Sequence, residues 1–247
     1  MARRTREYIY GINPAFEVIR GKRRRLYEAF LSRSGKDNPR LKKLVRLLEQ
    51  ADIPYEWVDK GRVLDLSGSK ENQGVVLKTS TYPYAPFEDL LAEPRLLLLD
   101  NVEDPHNVGA VLRSAEIFGF SNILLTRKGT PEVYPSVVKV SAGATEFLRI
   151  SKECSANQYA RRAKEAGYSV VALDAHGDAR LEDIDTDAIS RLLLVVGGED
   201  KSVGQFILNH ADHVASISQH GRINSLNASV AAAIAMYALG DKRNRQN

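Results

Sequence analysis

From residue 95 onward, short apolar runs of strand length alternate with stretches of helical periodicity. The predicted strands cover residues 95–100, 121–126, 147–150, 168–174, 191–197 and 213–217. The last helical stretch, from Asn227 to Leu239, is rich in alanine. Apolar strands separated by helices favour a parallel sheet that is covered on both faces. We therefore predict an α/β fold over residues 95–247, with ligands bound at the carboxyl ends of the strands.

The first 80 residues predict a second, smaller domain of mixed α and β structure. Its predicted elements are a strand at Tyr8–Gly11, a helix near Asn13–Arg20, a strand at Leu26–Phe30, a helix from about Pro39 to Ala51, and strands at Tyr55–Val58 and Val75–Thr79. Between the two domains, Pro83 and Pro86 favour extended chain. The predicted organisation is a domain at 1–80, a linker at 81–94 and a domain at 95–247.

Positive charge is concentrated in the smaller domain. Residues 1–80 contain 18 Lys and Arg against 10 Asp and Glu, a net charge of +8, whereas the remainder carries −4. The clustered basic residues are Arg3, Arg4, Arg6, Lys22, Arg23, Arg24, Arg25, Arg33, Lys36, Arg40, Lys42, Lys43 and Arg46. This density predicts a salt-sensitive attraction to the phosphates of a polyanion. A solvated basic face is the alternative interpretation.

Several classes of protein are disfavoured by the sequence. No apolar run approaches the roughly 18 to 20 residues of a membrane helix, and the first residues do not resemble a signal peptide, so we expect a cytoplasmic protein without a membrane partner. With Cys154 as the one cysteine and five scattered histidines, we expect no disulfide framework and no metal site. The motifs of Rossmann enzymes, P-loop NTPases and α/β-hydrolases are missing.

Three polar segments each follow a predicted strand. The first, at 100–115, contains Asn107, Gly109 and Arg113 within a turn and a half of a predicted helix, so Asn107 and Arg113 can flank one crevice. Taken alone, Asn107 also fits an ordinary helix cap and Arg113 a surface residue.

The second segment is Gly197-Gly198-Glu199, and the third contains Ser225 and Asn227 at the start of the last predicted helix. Two glycines predict a tight turn with positive φ whose amides face a ligand, although such a turn can also be purely structural. Ser225 and Asn227 could merely cap the helix. Because all three segments follow strands of one sheet, together they predict a single polar site.

In this order and at these separations, the three segments resemble the signature motifs of the SPOUT superfamily, specifically its TrmH-type RNA ribose 2′-O-methyltransferases. Within that family the chain is similar to the bacterial 23S rRNA (guanosine-2′-O)-methyltransferases. The resemblance extends to the family's N-terminal RNA-binding domain through Tyr10–Pro14 and Asn72–Leu77. The chain departs from the family pattern at Asp200 and at Ser218-Gln219.

The resemblance implies a deep trefoil knot near the carboxyl end that cradles S-adenosylmethionine, and an antiparallel homodimer whose active sites draw on both chains. The implied catalytic residues are Arg113, Asn107, Glu199, Ser225 and Asn227. The implied cofactor-binding residues are Gly197, Gly198, Ile217 and Leu226. The implied partner is structured RNA, with 23S rRNA as the expected target.

The family assigns proton loss from the ribose hydroxyl to Arg113. Because a guanidinium resists deprotonation, we instead expect Arg113 to bind a phosphate and stabilise developing alkoxide charge, while water takes the proton. Two other functions stay open from the sequence. One is a tRNA ribose 2′-O-methyltransferase of the same superfamily, and the other is a non-catalytic RNA-binding or ribosome-assembly protein.

Overall fold

The computed structural model describes residues 6–199, 201–222 and 225–240, so Arg3 and Arg4 of the basic cluster lie outside the described residues. In chain order the helices and strands are β1 (Glu7–Tyr10), α1 (Ile12–Gly21), β2 (Leu26–Ser32), α2 (Pro39–Gln50), β3 (Tyr55–Val58), α3 (Lys60–Ser67), β4 (Val75–Thr79), α4 (Phe87–Leu90), β5 (Arg95–Asp100), α5 (Pro105–Ile117), β6 (Asn122–Leu125), α6 (Pro135–Val140), β7 (Arg149–Ser151), α7 (Ala156–Glu165), β8 (Ser169–Leu173), β9 (Ala179–Arg180), β10 (Leu192–Gly197), α8 (Gln205–His210), β11 (His213–Ser216) and α9 (Ala228–Leu239). The chain divides into two units, one running up to Pro83 with Val133–Phe147 added, the other comprising Tyr84–Glu132 and the chain from Leu148 onward.

The first unit contains a four-stranded sheet in the order β1-β4-β2-β3. The pairs β1/β4 and β4/β2 are antiparallel, and β2/β3 is parallel. One face of this sheet packs Phe30 and Val76 against Val63 of α3. The sequence analysis did not predict α3, which is only weakly amphipathic. The helix is capped by Asp59, whose carboxylate accepts a hydrogen bond from the Arg62 amide at 2.8 Å.

Residues 133–147 pack with the first unit although they lie between two strands of the second. Val137 and Val138 of α6 are fully buried. Glu146 Oε1 accepts a hydrogen bond from Arg24 Nε at 3.0 Å, and both side chains are completely buried. The structure therefore differs from the predicted 95–247 domain, because the apolar side of this insertion finds its core in the other unit.

The predicted linker at 81–94 is ordered and packed. It contains α4, and both Phe87 and Leu90 of this helix are fully buried in the second unit. The Phe87 ring makes an edge-to-face contact with Tyr159, with the centroids 4.8 Å apart. Pro83 and Pro86 predicted an extended chain here, but Phe87 and Leu90, which follow them, stabilise a helical turn by packing on the core of the second unit.

The second unit contains a seven-stranded sheet in the order β7-β6-β5-β10-β8-β11-β9, and every strand pair in it is parallel. The predicted α/β fold with a parallel sheet is confirmed. From β5 the chain adds β6 and β7 on one side, and the four later strands, β8 to β11, lie on the other side with β10 next to β5. In such sheets, ligands bind outside the carboxyl ends of the strands where the direction of winding changes, here β5 and β10.

None of the helices in the described ranges is both long and apolar enough to span a bilayer.

Candidate active site

Asp100 holds both ends of the turn that follows β10. Strands β5 and β10 end level with each other, because Gly197 is paired with Asp100 in the register. The Gly198 amide donates to the Asp100 backbone oxygen at 3.1 Å, and the Gly204 amide donates to Asp100 Oδ2 at 2.9 Å. Burial raises the pKa of the Asp100 carboxyl, and the bond from Gly204 acts in the opposite direction. The chain between 198 and 204 is therefore fixed at both ends by one buried residue.

Gly197 and Gly198 are required by backbone packing. Neither adopts the positive φ that glycine allows. A Cβ on Gly198 would lie 2.1 Å from the backbone oxygen of Asn101, and one on Gly197 would lie 2.5 Å from the Val203 nitrogen. The Gly198 amide bonds to Asp100 and is not available to a ligand. These glycines let three stretches of backbone approach closely at the end of the sheet.

Asn107 is free to act in the site because Asp104 caps α5. The Asp104 side chain accepts the His106 amide at 2.9 Å, and Pro105 occupies the first turn. The interpretation of Asn107 as a helix cap is therefore wrong. Its side chain instead points across to the turn after β10, where Nδ2 donates to Glu199 Oε1 at 3.0 Å.

Asn227 completes a closed triangle of side chains with Asn107 and Glu199. Its Nδ2 donates to Asn107 Oδ1 at 3.0 Å and also to Glu199 Oε1. Its Oδ1 accepts the Ser229 amide at 2.9 Å, so Asn227 caps α9 as well. The structure thus brings one residue from each of the three polar segments into direct contact.

A cavity beside the triangle is lined by six of the predicted site residues. They are Gly197, Gly198, Glu199, Ile217, Ser225 and Leu226. The six residues come from three segments: the end of β10 with its turn, the residue after β11, and the chain entering α9. Helix α9 is placed here because it packs along α5, which also carries Asn107.

The same cavity has walls that the sequence reasoning missed, including Leu173, Asp174, Ser202 and Gln219. Asp174 follows β8 and accepts hydrogen bonds from the Ser202 hydroxyl at 3.0 Å and the His176 amide at 2.9 Å. An acidic residue at the end of a predicted parallel strand was the signal that could have found it. Of the departures from the family pattern, Gln219 lines the cavity, Ser218 bonds Glu182 at 2.6 Å, and Asp200 lies outside the described residues.

Arg113 lies apart from the triangle within one chain. It is exposed on α5, six residues after Asn107, which corresponds to about 9 Å along the axis and a different side of the helix. It makes no hydrogen bond or ion pair with the described residues and does not line the cavity. Among the described residues no contact within one chain joins Arg113 to Asn107, so the expectation that the two flank one crevice stays a prediction.

A second concavity lies on the other side of Glu199 and is rich in carboxylates. Its lining includes Asn101, Glu103, Asp104 and Asn107. Lys201 also lines it and pairs with Glu103 at 3.2 Å. Across the described ranges, no group of three His, Cys, Asp or Glu side chains is arranged to hold a metal ion.

Comparison with known proteins gives matches over both units. Residues 94–237 match the SpoU rRNA Methylase family, and residues 8–85 match the family described as RNA 2′-O ribose methyltransferase substrate binding. The Bacillus subtilis (strain 168) protein YacO, named for the TrmH family of tRNA/rRNA methyltransferases, is 30% identical over 245 residues, which are 96% of each chain.

Two solved structures share the fold to different extents. An AdoMet-bound rRNA methyltransferase from Sinorhizobium meliloti aligns with a TM-score of 0.80 at 20% identity, covering 98% of this chain and 89% of that one. A TrmH/SpoU tRNA modifying enzyme from A. aeolicus aligns with a TM-score of 0.55 at 23% identity, covering 64% of this chain and 85% of that one.

Proposed function

Because the chain belongs to the SpoU rRNA methylase family of RNA ribose 2′-O-methyltransferases, whose cofactor is S-adenosylmethionine, we propose that it methylates the 2′-hydroxyl of a guanosine in 23S rRNA. The observation that carries the proposal is the hydrogen-bonded triangle of Asn107, Glu199 and Asn227, which joins all three polar segments beside one cavity.

The chemistry of the cavity fits a nucleoside carrying a charged tail. Leu173, Ile217 and Leu226 offer apolar surface to a flat ring, while Asp174 and Ser225 offer polar atoms to a ribose and an amino acid group. When bound there, S-adenosylmethionine supplies an electrophilic methyl group on its sulfonium, so the remaining requirement is an aligned ribose hydroxyl.

Arg113 stabilises charge in this proposal. A guanidinium stays protonated at every physiological pH, so Arg113 binds the phosphate next to the target ribose and stabilises the developing alkoxide, while water accepts the proton. The triangle orients the ribose and the methyl donor, because its amide groups are locked by one another and by the α9 cap.

A homodimer would bring Arg113 of one copy to the triangle of the other. The support is an apolar surface on α5 and α9, two helices that pack together. On it, Ile117 is 64% exposed and Tyr237 57% exposed, and Val230 and Ile234 are exposed as well. Exposed apolar side chains grouped on adjacent helices are typical of an interface.

We also propose that the chain near its carboxyl end forms the deep trefoil knot of the family, in which Ile217, Leu226 and the turn after β10 bind the cofactor.

Mixing two inactive variants tests the shared site. In a heterodimer of Arg113→Ala and Asn227→Ala chains, a shared arrangement leaves one site with both substitutions and the other intact. Random pairing should therefore restore roughly a quarter of wild-type activity, as expected for a two-fold interface. If both residues acted from the same chain, no heterodimer site would be intact and activity would stay at the level of the single variants.

The choice of rRNA over tRNA is supported by the extent of shared architecture. The rRNA methyltransferase described above shares both units of this chain, whereas the tRNA modifying enzyme covers 64% of it. The basic first unit, which matches a substrate-binding family, adds a surface that attracts phosphates and suits a large structured RNA. An RNA of this kind is encountered in the cytoplasm, which is the proposed location.

Ribose-methylation mapping of total RNA tests the target and the chemistry together. Cells lacking the gene are compared with cells carrying the wild type or Arg113→Ala. Loss of one 2′-O-methyl mark in 23S rRNA, not restored by the variant, is the expected result. A lost mark in tRNA would keep the chemistry and overturn the target. If no mark is lost, the non-catalytic RNA-binding function replaces this proposal.

A further inference from the structure

We propose that the loop Thr126–Thr130 is a phosphate-binding element of the RNA site, and that Lys128 contacts a backbone phosphate close to the target ribose. This inference rests on the proposed function, since it takes RNA as the substrate. The loop follows β6, which is the neighbour of β5 on the side away from β10. It therefore lies at the same carboxyl edge of the sheet as the triangle.

The loop is in direct contact with the backbone that supports the turn carrying Glu199. Gly129 adopts a left-handed φ of 89°, and a Cβ placed on it would lie 3.0 Å from Asn101 Oδ1. Asn101 in turn presses against Gly198, where a Cβ would lie 2.1 Å from the Asn101 oxygen. One residue, Asn101, thus separates the loop from the turn after β10. Lys128 is adjacent to Gly129, so its side chain starts within about 10 Å of this contact, with a further reach of roughly 6 Å.

A half-buried lysine holds the loop in one conformation. Lys152 Nζ donates to the backbone oxygens of Thr126 at 2.5 Å and Thr130 at 2.9 Å, with a longer contact to the Arg127 oxygen at 3.4 Å. The Thr130 hydroxyl closes the loop by donating to the Thr126 oxygen at 2.8 Å. Burial lowers the pKa of Lys152. Charge-assisted bonds to neutral acceptors keep the loop backbone rigid, and a rigid loop loses little entropy when it binds a ligand.

Neither Arg127 nor Lys128 forms an ion pair with a carboxylate of the described residues. Lys128 is exposed and has no partner among the described residues. Arg127 is exposed, and its guanidinium bonds to the backbone oxygen of Glu153. The adjacent concavity is lined by Glu103, Asp104 and Glu199, of which Lys201 pairs with Glu103, so its lining still has more negative than positive charge and repels an incoming RNA backbone. Lys128, on a loop that is held in place beside that lining, offers a phosphate a favourable contact near the triangle.

The test compares Lys128→Ala with Arg161→Ala in the full-length protein. Arg161 is a matched control, an exposed cation of the same unit on α7 that pairs loosely with Glu165 at 3.8 Å. The probe is 23S rRNA purified from cells that lack the gene, and binding is measured between 50 and 200 mM salt. Lys128→Ala should bind about tenfold more weakly at low salt and lose roughly 0.7 to 0.9 from the salt slope, as one phosphate contact predicts. The kcat at saturating RNA and the affinity for S-adenosylmethionine should be unchanged, and Lys128→Arg should retain binding.

Lys152→Met tests the supporting role separately. It leaves Lys128 in place but removes the donor that locks the loop, so RNA binding should weaken while S-adenosylmethionine binding is unchanged. The inference is overturned if Lys128→Ala matches Arg161→Ala in affinity and salt slope, or if its defect is in kcat or cofactor binding. If the inference is overturned in this way but the wild-type protein still methylates RNA, the proposed function is unaffected. A wild-type protein that methylates no RNA sinks the proposed function itself.

Discussion

The buried ion pair between Arg24 and Glu146 should decide whether the insertion at 133–147 stays attached to the first unit. Both side chains are completely buried, and Arg24 also contacts Glu7 at 2.6 Å. Arg24 Nη2 and Glu146 Oε2 have no hydrogen-bond partner among the described residues. The pair is therefore already incompletely satisfied, and removing one charge leaves the other buried with less compensation.

Glu146→Gln removes the negative charge and nearly preserves the shape of the side chain. Breaking a buried pair costs about 3–5 kcal/mol, and because Arg24 keeps Glu7 we expect about 2–4 kcal/mol here. The matched control is Glu17→Gln, which breaks a solvent-exposed pair with Arg20 in the same unit and should change stability by less than about 0.5 kcal/mol.

Hydrogen exchange followed by mass spectrometry suits this measurement, because a chain of two units need not unfold in one step. Peptides covering 133–147 and β1 should lose protection in Glu146→Gln by the stated free energy and keep it in Glu17→Gln. The double substitution Arg24→Met with Glu146→Leu should recover most of the loss, since apolar residues of similar volume commonly replace a buried pair without penalty. Equal protection in the two single variants would refute the reasoning.

Three further predictions concern the site. Gly198→Ala should abolish S-adenosylmethionine binding measured by calorimetry, because its Cβ would lie 2.1 Å from the backbone oxygen of Asn101 and would force the backbone to shift. Retained binding would show that the turn tolerates this shift. Asn227→Ala removes the cap of α9 and the two bonds that Asn227 donates to Asn107 and Glu199, so it should lower the unfolding free energy by about 1–2 kcal/mol and also lower kcat. Ser155→Ala, which removes the cap of α7, should lower the unfolding free energy but leave kcat unchanged. Equal kcat in the two variants would contradict the role of the triangle. Burial raises the pKa of Asp100 in the folded state above its unfolded value, so the native state binds the proton more readily. The unfolding free energy of the wild type relative to Asp100→Asn should therefore rise as the pH falls from 7 to about 4. Denaturant titrations at the two pH values measure this difference, and a smaller difference at the lower pH would contradict the prediction.

Local sequence chemistry predicted most of the helices and strands, and it singled out the polar residues that the structure brings together at the ends of β5 and β10. The runs at the centre of β5 and β10, Leu96–Leu99 and Leu192–Val196, are entirely apolar, so their burial in a parallel sheet followed from composition and length. Asn107, Glu199 and Asn227 stood out because each is a polar residue in a segment that follows a strand, and resemblance to a known family added the catalytic role of Arg113 and the cofactor. Local sequence patterns did not predict why a residue is required when the cause is a distant part of the chain. Gly197 and Gly198 are required because the backbone at 101 and at 202–203 lies too close for a side chain.

The sequence by itself determined the alternation of strands and helices, the basic first unit and the polar residues at the strand ends, because periodicity and charge are local properties. Only the tertiary structure decided that β10 lies beside β5, which sets Glu199 against Asn107, and that α9 returns along α5, which delivers Asn227 to both. It also assigned 133–147 to the first unit through the Arg24–Glu146 pair, whose partners are 122 residues apart. The physical reason is that the burial of a side chain and the pairing of a charge depend on which surfaces come into contact in the folded chain. The local sequence of a segment does not specify which distant segment it will contact.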